Sequence, residues 1–228
     1  MATRVQWLGH ACLLVETDGF NLLLDPFQTD SLAAVAKASD VPAHFILVSH
    51  GHEDHVGDTV AIAQRTEATV VCNYEMSLWF QKQGVAKVHG QQHGGSHDFP
   101  FGKVKLTLAF HGSMMPDGSY GGNPCGFLLT LKDGKKIYAA ADTALFGDMK
   151  LIGEEGIDLA ILPIGDNYTM GPDDALRAVK LIEPRQVLPI HYDTWELIHQ
   201  DAAAWAARVR KDTKTVPVVL KPGGWLTV

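Results

Sequence analysis

Four short runs of β-forming apolar residues each end in a side chain that can bind a metal. HFILVS leads into His50, KVKLTLAF into His111, IYAAA into Asp142 and QVLPI into His191. Strands that share a sheet edge deliver their terminal residues to one place, on loops held by a rigid scaffold. One such histidine alone is an ordinary histidine. Four independent strands with these endings restrict the chain to folds that gather strand ends together. The first ending opens the segment SHGHEDH, residues 49–55, which packs three histidines and two carboxylates into one turn.

The rest of the chain supplies a scaffold of that kind. RVQWL, ACLLVE and FNLLLD read as three short strands, joined at Gly9 and at Asp18-Gly19. Pro26 ends that run, and SLAAVAKASD is a loop or short helix. Val56–Arg65 has a helical pattern, ATVVC reads as a buried strand, and YEMSLWFQKQG as a helix closed by Gly84. FLLTL and IDLAILPIG are strands. GPDDALRAVKLIEP is a helix with Pro172 near its start, Asp173 and Asp174 in its first turn and Pro184 beyond its end. DAAAWAARVRK is helical, and VPVVLKPGGWLTV closes the chain with strands. No low-complexity linker interrupts residues 1–228, so they form a single domain. Hairpins mixed with strand–helix units point to sheets with helices packed outside.

Composition narrows the function. A net charge of −7 argues against sequence-independent nucleic-acid binding, which needs clustered basic side chains. Cys12, Cys72 and Cys125 are far apart and form no CxxC pair, so neither a disulfide framework nor a cysteine-rich zinc site is expected. The first 20 residues lack a long apolar stretch and no segment approaches a membrane span. The expectation is a cytoplasmic enzyme or binding protein acting on a small molecule, with no nucleic-acid or membrane partner.

Zinc takes imidazole nitrogen and carboxylate oxygen, and catalytic sites keep one position open for water. In HxHxDH, His50 and His52 lie two apart while Asp54 and His55 are adjacent, so a turn can divide them between two metals. His111 and His191 supply further ligands, and the two oxygens of Asp142 suit it to bridge. Two cations about 3.5–4 Å apart can clamp both the attacking and the leaving oxygens of a displacement.

This set, HxHxDH followed by a strand-end His, Asp and His, resembles the metallo-β-lactamase superfamily through residues 50–191. WLGHACLL, LLLDPF, GDNYTMGPDDA and LPIHYDTW are similar to its small metal-dependent hydrolases, near the ascorbate-6-phosphate lactonase branch, and extend the likeness over essentially the whole chain. The resemblance implies an α+β fold, a four-layer αββα sandwich of two mixed sheets flanked by helices, with the site on the edge between them. It implies one metal on His50, His52 and His111, a second on Asp54, His55 and His191, and Asp142 between them. A hydroxide of that dinuclear site would cleave a small ester, lactone or phosphate-bearing substrate, with Asp54 and His10 as catalytic residues. Two Zn2+ ions are expected, and Mn2+, Fe2+ or Ni2+ suit the same ligands. Related small hydrolases often assemble, which leaves a homo-oligomer open. Two alternatives share the fold. One is an iron-dependent redox enzyme of oxygen or sulfur chemistry, whose di-iron electron-transfer branch typically replaces the second motif histidine with glutamate and adds a flavin domain, whereas this chain keeps His52. Nuclease relatives usually add an RNA-gripping arm for which 228 residues leave little room.

Around the motif, His10 in its GHA stretch leans toward the site, and Asp25 toward a partner of a ligand histidine. Tyr168 and Thr169, after ILPIG, are candidate substrate contacts. Phe27, Trp79 and Trp195 are core or pocket wall, and GSMMPDGSYGGNPCG is a candidate cover for the site. His89, His93 and His97 recur every four residues, but Gly90, Gly94 and Gly95 argue against a helix and for a solvated loop.

Overall fold

The chain builds the same half-sheet twice. In the computed structural model, which describes residues 2–228, β1 (Arg4–Gly9), β2 (Cys12–Thr17) and β3 (Phe20–Leu24) form an antiparallel run. Then β4 (Phe45–Leu47), β5 (Thr69–Asn73) and β6 (Val88–Gln91) add in parallel. The second sheet repeats the scheme. Antiparallel β7 (Ser96–Phe99), β8 (Gly102–Leu108), β9 (Cys125–Leu131) and β10 (Lys136–Ala139) precede parallel β11 (Leu159–Pro163), β12 (Gln186–Ile190) and β13 (Val216–Pro217). The last strand, β14 (Trp225–Thr227), returns to the first sheet and pairs with β1, giving two mixed sheets of seven strands. This is the αββα sandwich that the resemblance implies.

Two apolar faces on each strand explain the layers. In the first sheet Leu13, Val15, Leu22, Leu24, Leu47 and Val71 join one core with residues of the second sheet. Their neighbours Cys12, Leu14, Leu23, Ile46, Val70 and Cys72 pack on the opposite face. There they meet Ile62 and Ala63 of α2 (Thr59–Thr66) and Met76 and Phe80 of α3 (Tyr74–Lys82). Strands covered on both faces read as nearly continuous apolar runs, as LAILP of β11 does. The parallel strands need crossovers, which α2 and α3 provide in the first sheet. In the second sheet these are α4 (Met149–Gly153), α5 (Pro172–Ile182) and α6 (Ala202–Asp212). Each crossover returns the chain to the start of the next strand, so the C-terminal ends of the parallel strands collect at one edge.

Several expectations change. The helix expected over Val56–Arg65 is two pieces, α1 (Glu53–Val56) and α2, so part of the metal motif is itself helical. The break is Gly57, at φ 35°, where a Cβ would lie 2.3 Å from the Pro26 carbonyl oxygen. Gly57→Ala is therefore expected to lower stability by at least about 2 kcal/mol in urea unfolding. An unchanged midpoint would mean that the Pro26 turn gives way freely. The solvated loop expected for His89, His93 and His97 is also corrected. His89 lies on β6 and His97 on β7, where edge pairing supplies the backbone hydrogen bonds that the glycines deny to a helix, and their rings lie 4.2 Å apart. His93, between the strands, hydrogen-bonds the Pro124 carbonyl at 2.8 Å. The closing VPVVLKPGGWLTV gives only the short β13 and β14, one in each sheet.

Candidate metal centre

The strand ends meet as expected, but the histidines and aspartates are aimed by turns beyond them. β4 stops at Leu47, β8 at Leu108 and β10 at Ala139, so His50, His111 and Asp142 each lie three residues on; only His191 directly follows its strand. Among the described residues ten non-glycine residues have positive φ, and seven of them lie in the segments of this edge, including His10, Asp25, Ala141 and His191. Left-handed backbone costs free energy for a residue with a Cβ, and it concentrates where geometry is over-determined by function. A hydrogen bond from the His191 amide to the His10 carbonyl, at 3.1 Å, ties two of these turns together across the sheets.

His50, His52 and His111 form the first cluster. His50 Nε2 lies 3.1 Å from His52 Nδ1, and His111 Nε2 lies 3.2 Å from the same atom. Ligand bonds of about 2.0–2.1 Å on a tetrahedral ion set nitrogens about 3.3 Å apart, so three imidazole lone pairs here converge at metal spacing. The ring of His50 is aimed from behind. Ser49 Oγ donates to Asp25 Oδ2 at 2.7 Å, so it accepts from His50 Nδ1 at 2.9 Å, leaving Nε2 bare toward the cluster. Burial holds His50 well below the ordinary histidine range and lowers His52 and His111 as well, which favours the neutral, metal-binding form.

Asp54, His55 and His191 form the second cluster. His191 Nε2 and His55 Nε2 lie 3.7 and 3.8 Å from Asp54 Oδ2. Asp25 Oδ2 accepts from His55 Nδ1 at 2.9 Å, fixing the tautomer that presents Nε2. Asp142 stands between the clusters. Its Oδ2 is 3.0 Å from His191 Nε2, 3.4 Å from His55 Nε2 and 3.6 Å from His111 Nε2. His55 Nε2, Asp142 Oδ1 and both His191 ring nitrogens are buried without a hydrogen-bond partner. Such atoms are costly to bury unless something charged meets them, and a cation is the partner their chemistry fits.

The electrostatics agree. Burial resists ionisation of Asp142, yet His191 and His55 hold its carboxyl well below the usual range. Asp54 is likewise lowered against its burial, chiefly by His55. Burial opposes a proton on His191, but Asp142 raises it to about 9. Burial opposes one on His55 too, and Asp142, Asp54 and Asp25 raise it well above the ordinary value. The carboxylates thus demand positive charge, which protons or metal ions can supply.

His10 lies beneath this layer rather than in it. Fully buried, it bonds Asp54 Oδ2 through Nε2 at 3.0 Å and Thr194 Oγ1 through Nδ1 at 2.8 Å. Burial first, and then His191, lower it to about 4, so it is neutral. A cavity of about 580 Å3 opens above the clusters, lined by His52, Asp54, His111, Asp142 and His191, with Phe27, Trp195 and Tyr168 as aromatic wall and Asp30 and Glu53 at its rim. Thr169 does not line it, because its hydroxyl turns to the Met170 carbonyl of its own loop. Trp79 also lies elsewhere, its indole donating to Asp117 at 2.7 Å. The GSMMPDGSYGGNPCG segment is not a cover. Ser113 accepts from the Gly51 amide at 3.0 Å and Met115 is fully buried, so the loop buttresses the His50–His52 turn from behind. Glu53 was counted in the sequence only as one of the two carboxylates of SHGHEDH, and Asp30, Ser49 and Thr194 were given no role there. Only Ser49 and Glu53 carry a signal, by lying within or beside HxHxDH.

A family model described as a β-lactamase superfamily domain matches residues 4–191. A metal-dependent hydrolase of the UPF0173 group from Symbiobacterium thermophilum is 49% identical over 229 residues, covering 99% of this chain and 100% of the relative. Another from Pelotomaculum thermopropionicum is 49% identical over 225 residues, covering 96% and 97%. Among solved structures, a metallo hydrolase from the archaeon Ignicoccus hospitalis superposes with a TM-score of 0.91 at 31% identity, covering 100% of this chain and 99% of that one. Strand ends that gather histidines and aspartates on the edge of an αββα sandwich, in a chain with these relatives, make it a metal-dependent hydrolase belonging to the metallo-β-lactamase superfamily.

Proposed function

We propose that the enzyme uses two divalent ions, one held by His50, His52 and His111 and the other by Asp54, His55 and His191, with Asp142 shared, to hydrolyse a small ester or lactone. The observation that carries this reading is Asp142, whose single Oδ2 lies within 3.6 Å of ligand nitrogens of both clusters while its Oδ1 is buried without a partner. Such a pair of ions, zinc by preference, would lower the pKa of a water and polarise the bond to be cleaved. The protein's own part is positioning. His10 and Thr194 hold Asp54 in one orientation, Asp25 and Ser49 hold His50 and His55, and Phe27 and Trp195 exclude bulk water from one side. With Asp142 already ionised by its surroundings, no residue must gain a proton for the site to accept substrate.

Elemental analysis tests the metal count. Protein purified without chelator should carry two ions per chain, and one or none after reconstitution would sink the shared-carboxylate arrangement. His10 is a positioning residue in this reading. His10→Gln should lower kcat by about 10–100-fold while metal content stays near the parent value. Loss of the metal instead would make His10 a ligand, since it also lies with Asp54, His55 and His191 in a group of metal-binding size.

The pH dependence has a definite sign. His191, raised from 6.5 to about 9 by folding, contributes stability that is complete below 6.5 and is lost as pH rises through about 9. Asp54 and Asp142, lowered by folding, contribute stability above the usual carboxylate range that is lost in acid. After chelation the Tm should therefore fall between pH 7 and pH 9.5, and metal binding at pH 7 should release protons into the buffer. A flat Tm with no proton release would remove His191 and His55 from the ligand set.

A further inference from the structure

The site edge is electrically one-sided. Seven segments carry the clusters and the cavity: residues 9–11, 25–30, 48–58, 109–124, 140–148, 164–171 and 191–201. Together they hold twelve of the chain's 26 carboxylates and none of its 19 lysines and arginines. Every ion pair that a lysine or arginine makes among the described residues lies elsewhere, as Arg4–Glu16, Lys103–Asp98 and Lys180–Asp212 do. Of these, Asp30, Glu53, Asp54 and Asp142 line the cavity; Asp54 and Asp142 would face the ions, which leaves Asp30 and Glu53 as the anionic groups at its mouth. At the mouth, Asp30 and Glu53 are exposed and make no ion pair or side-chain hydrogen bond among the described residues. Facing the same cavity are Trp195, Tyr168 and Phe27, Tyr168 being 52% exposed. The floor is built, since Asp142 is 2% exposed and presents an unpartnered oxygen.

Sites that hold free phosphate or carboxylate groups place arginine, lysine or a helix N-terminus against them. Aromatic faces flanked by carboxylates do the opposite and attract cations. A cleft lined by one sign of charge also focuses the field that guides substrates in. Resting on the hydrolase reading above, we infer that the substrate is an ester or lactone whose non-reacting arm is cationic, an amine or quaternary ammonium. That arm lies against Trp195 and Tyr168 with Asp30 and Glu53 as counter-charges. This narrows the sequence expectation and argues against a substrate whose non-reacting arm carries a free phosphate.

The test uses three acetate esters of similar size on the metal-loaded enzyme: acetylcholine, its uncharged carbon isostere neohexyl acetate, and the anionic sulfoethyl acetate. At low ionic strength kcat/KM should favour the cation over the neutral ester by about tenfold and over the anion by about a hundredfold. The ranking should compress in 0.5 M salt, where screening shortens to about 4 Å. In the Asp30→Asn, Glu53→Gln double variant the cation-to-neutral ratio should fall toward one. Calorimetry with choline and neohexanol, which differ in charge alone, gives a second readout that needs no turnover. Equal or better turnover of the anionic ester, or choline binding no tighter than neohexanol, would overturn the inference. If no ester is cleaved but choline still binds tenfold tighter than neohexanol, the cation site stands and the ester-hydrolase reading fails.

Discussion

Asp142→Asn should lose hydrolytic activity by at least about a hundredfold and retain fewer than two metal ions per chain. Among the described residues its carboxylate is the one that faces His191, His55 and His111 at once, at 3.0, 3.4 and 3.6 Å. Asparagine keeps the shape but not the charge. It leaves His55 and His191 without the anion that raises both of them most, and it can turn an N–H toward nitrogens that need an acceptor or a cation. The protein should still fold, because the strands beside residue 142 are held by Ile137, Tyr138 and Leu159, each fully buried. Metal analysis and kinetics on the same preparation separate the outcomes. Full activity with two ions would mean that Asp142 caps the following turn and shares no metal.

Asp25→Asn should be nearly as damaging although Asp25 does not line the cavity. Its carboxylate accepts from the Ser49 amide at 2.8 Å, Ser49 Oγ at 2.7 Å and His55 Nδ1 at 2.9 Å. All three bonds need an acceptor, and an amide has only one oxygen to offer. Whichever way the side chain turns, an NH2 group faces a donor. The relief is for His55 to move its proton to Nε2, the nitrogen that must stay bare to bind a metal. Affinity at the second site should fall about 10–100-fold, the usual cost of losing a partner behind a ligand histidine. Metal titration monitored by competition with a chromophoric chelator measures it. An unchanged affinity would mean that His55 does not bind through Nε2.

Much of this protein was written into local sequence. Alternating residues set β1, near-continuous apolar runs set β2, β3, β11 and β12, and Pro172 with Asp173 and Asp174 set the start of α5, because each depends on neighbours a few positions away. HxHxDH announced a metal site for the same reason: four side chains within six residues have no other common use. β6 and β7 were hidden because VHGQ and SHDF are short, mostly polar edge strands with little apolar signal, although each pairs with a strand next to it in the chain, β5 and β8. The split of the motif helix at Gly57 depends on Pro26, thirty-one positions upstream.

The sequence by itself determined which side chains could meet a metal and that strands would carry them. Only the tertiary structure decided how they are aimed. The left-handed turns at His10, Asp25 and His191, the chain from His50 through Ser49 to Asp25, and the position of Asp142 between two clusters all depend on contacts between segments remote in sequence. The acidic, lysine-free rim belongs to the same class. Asp30, Glu53, Tyr168 and Trp195 come from segments remote in sequence, and they face one cavity only because two sheets bring those segments to one edge.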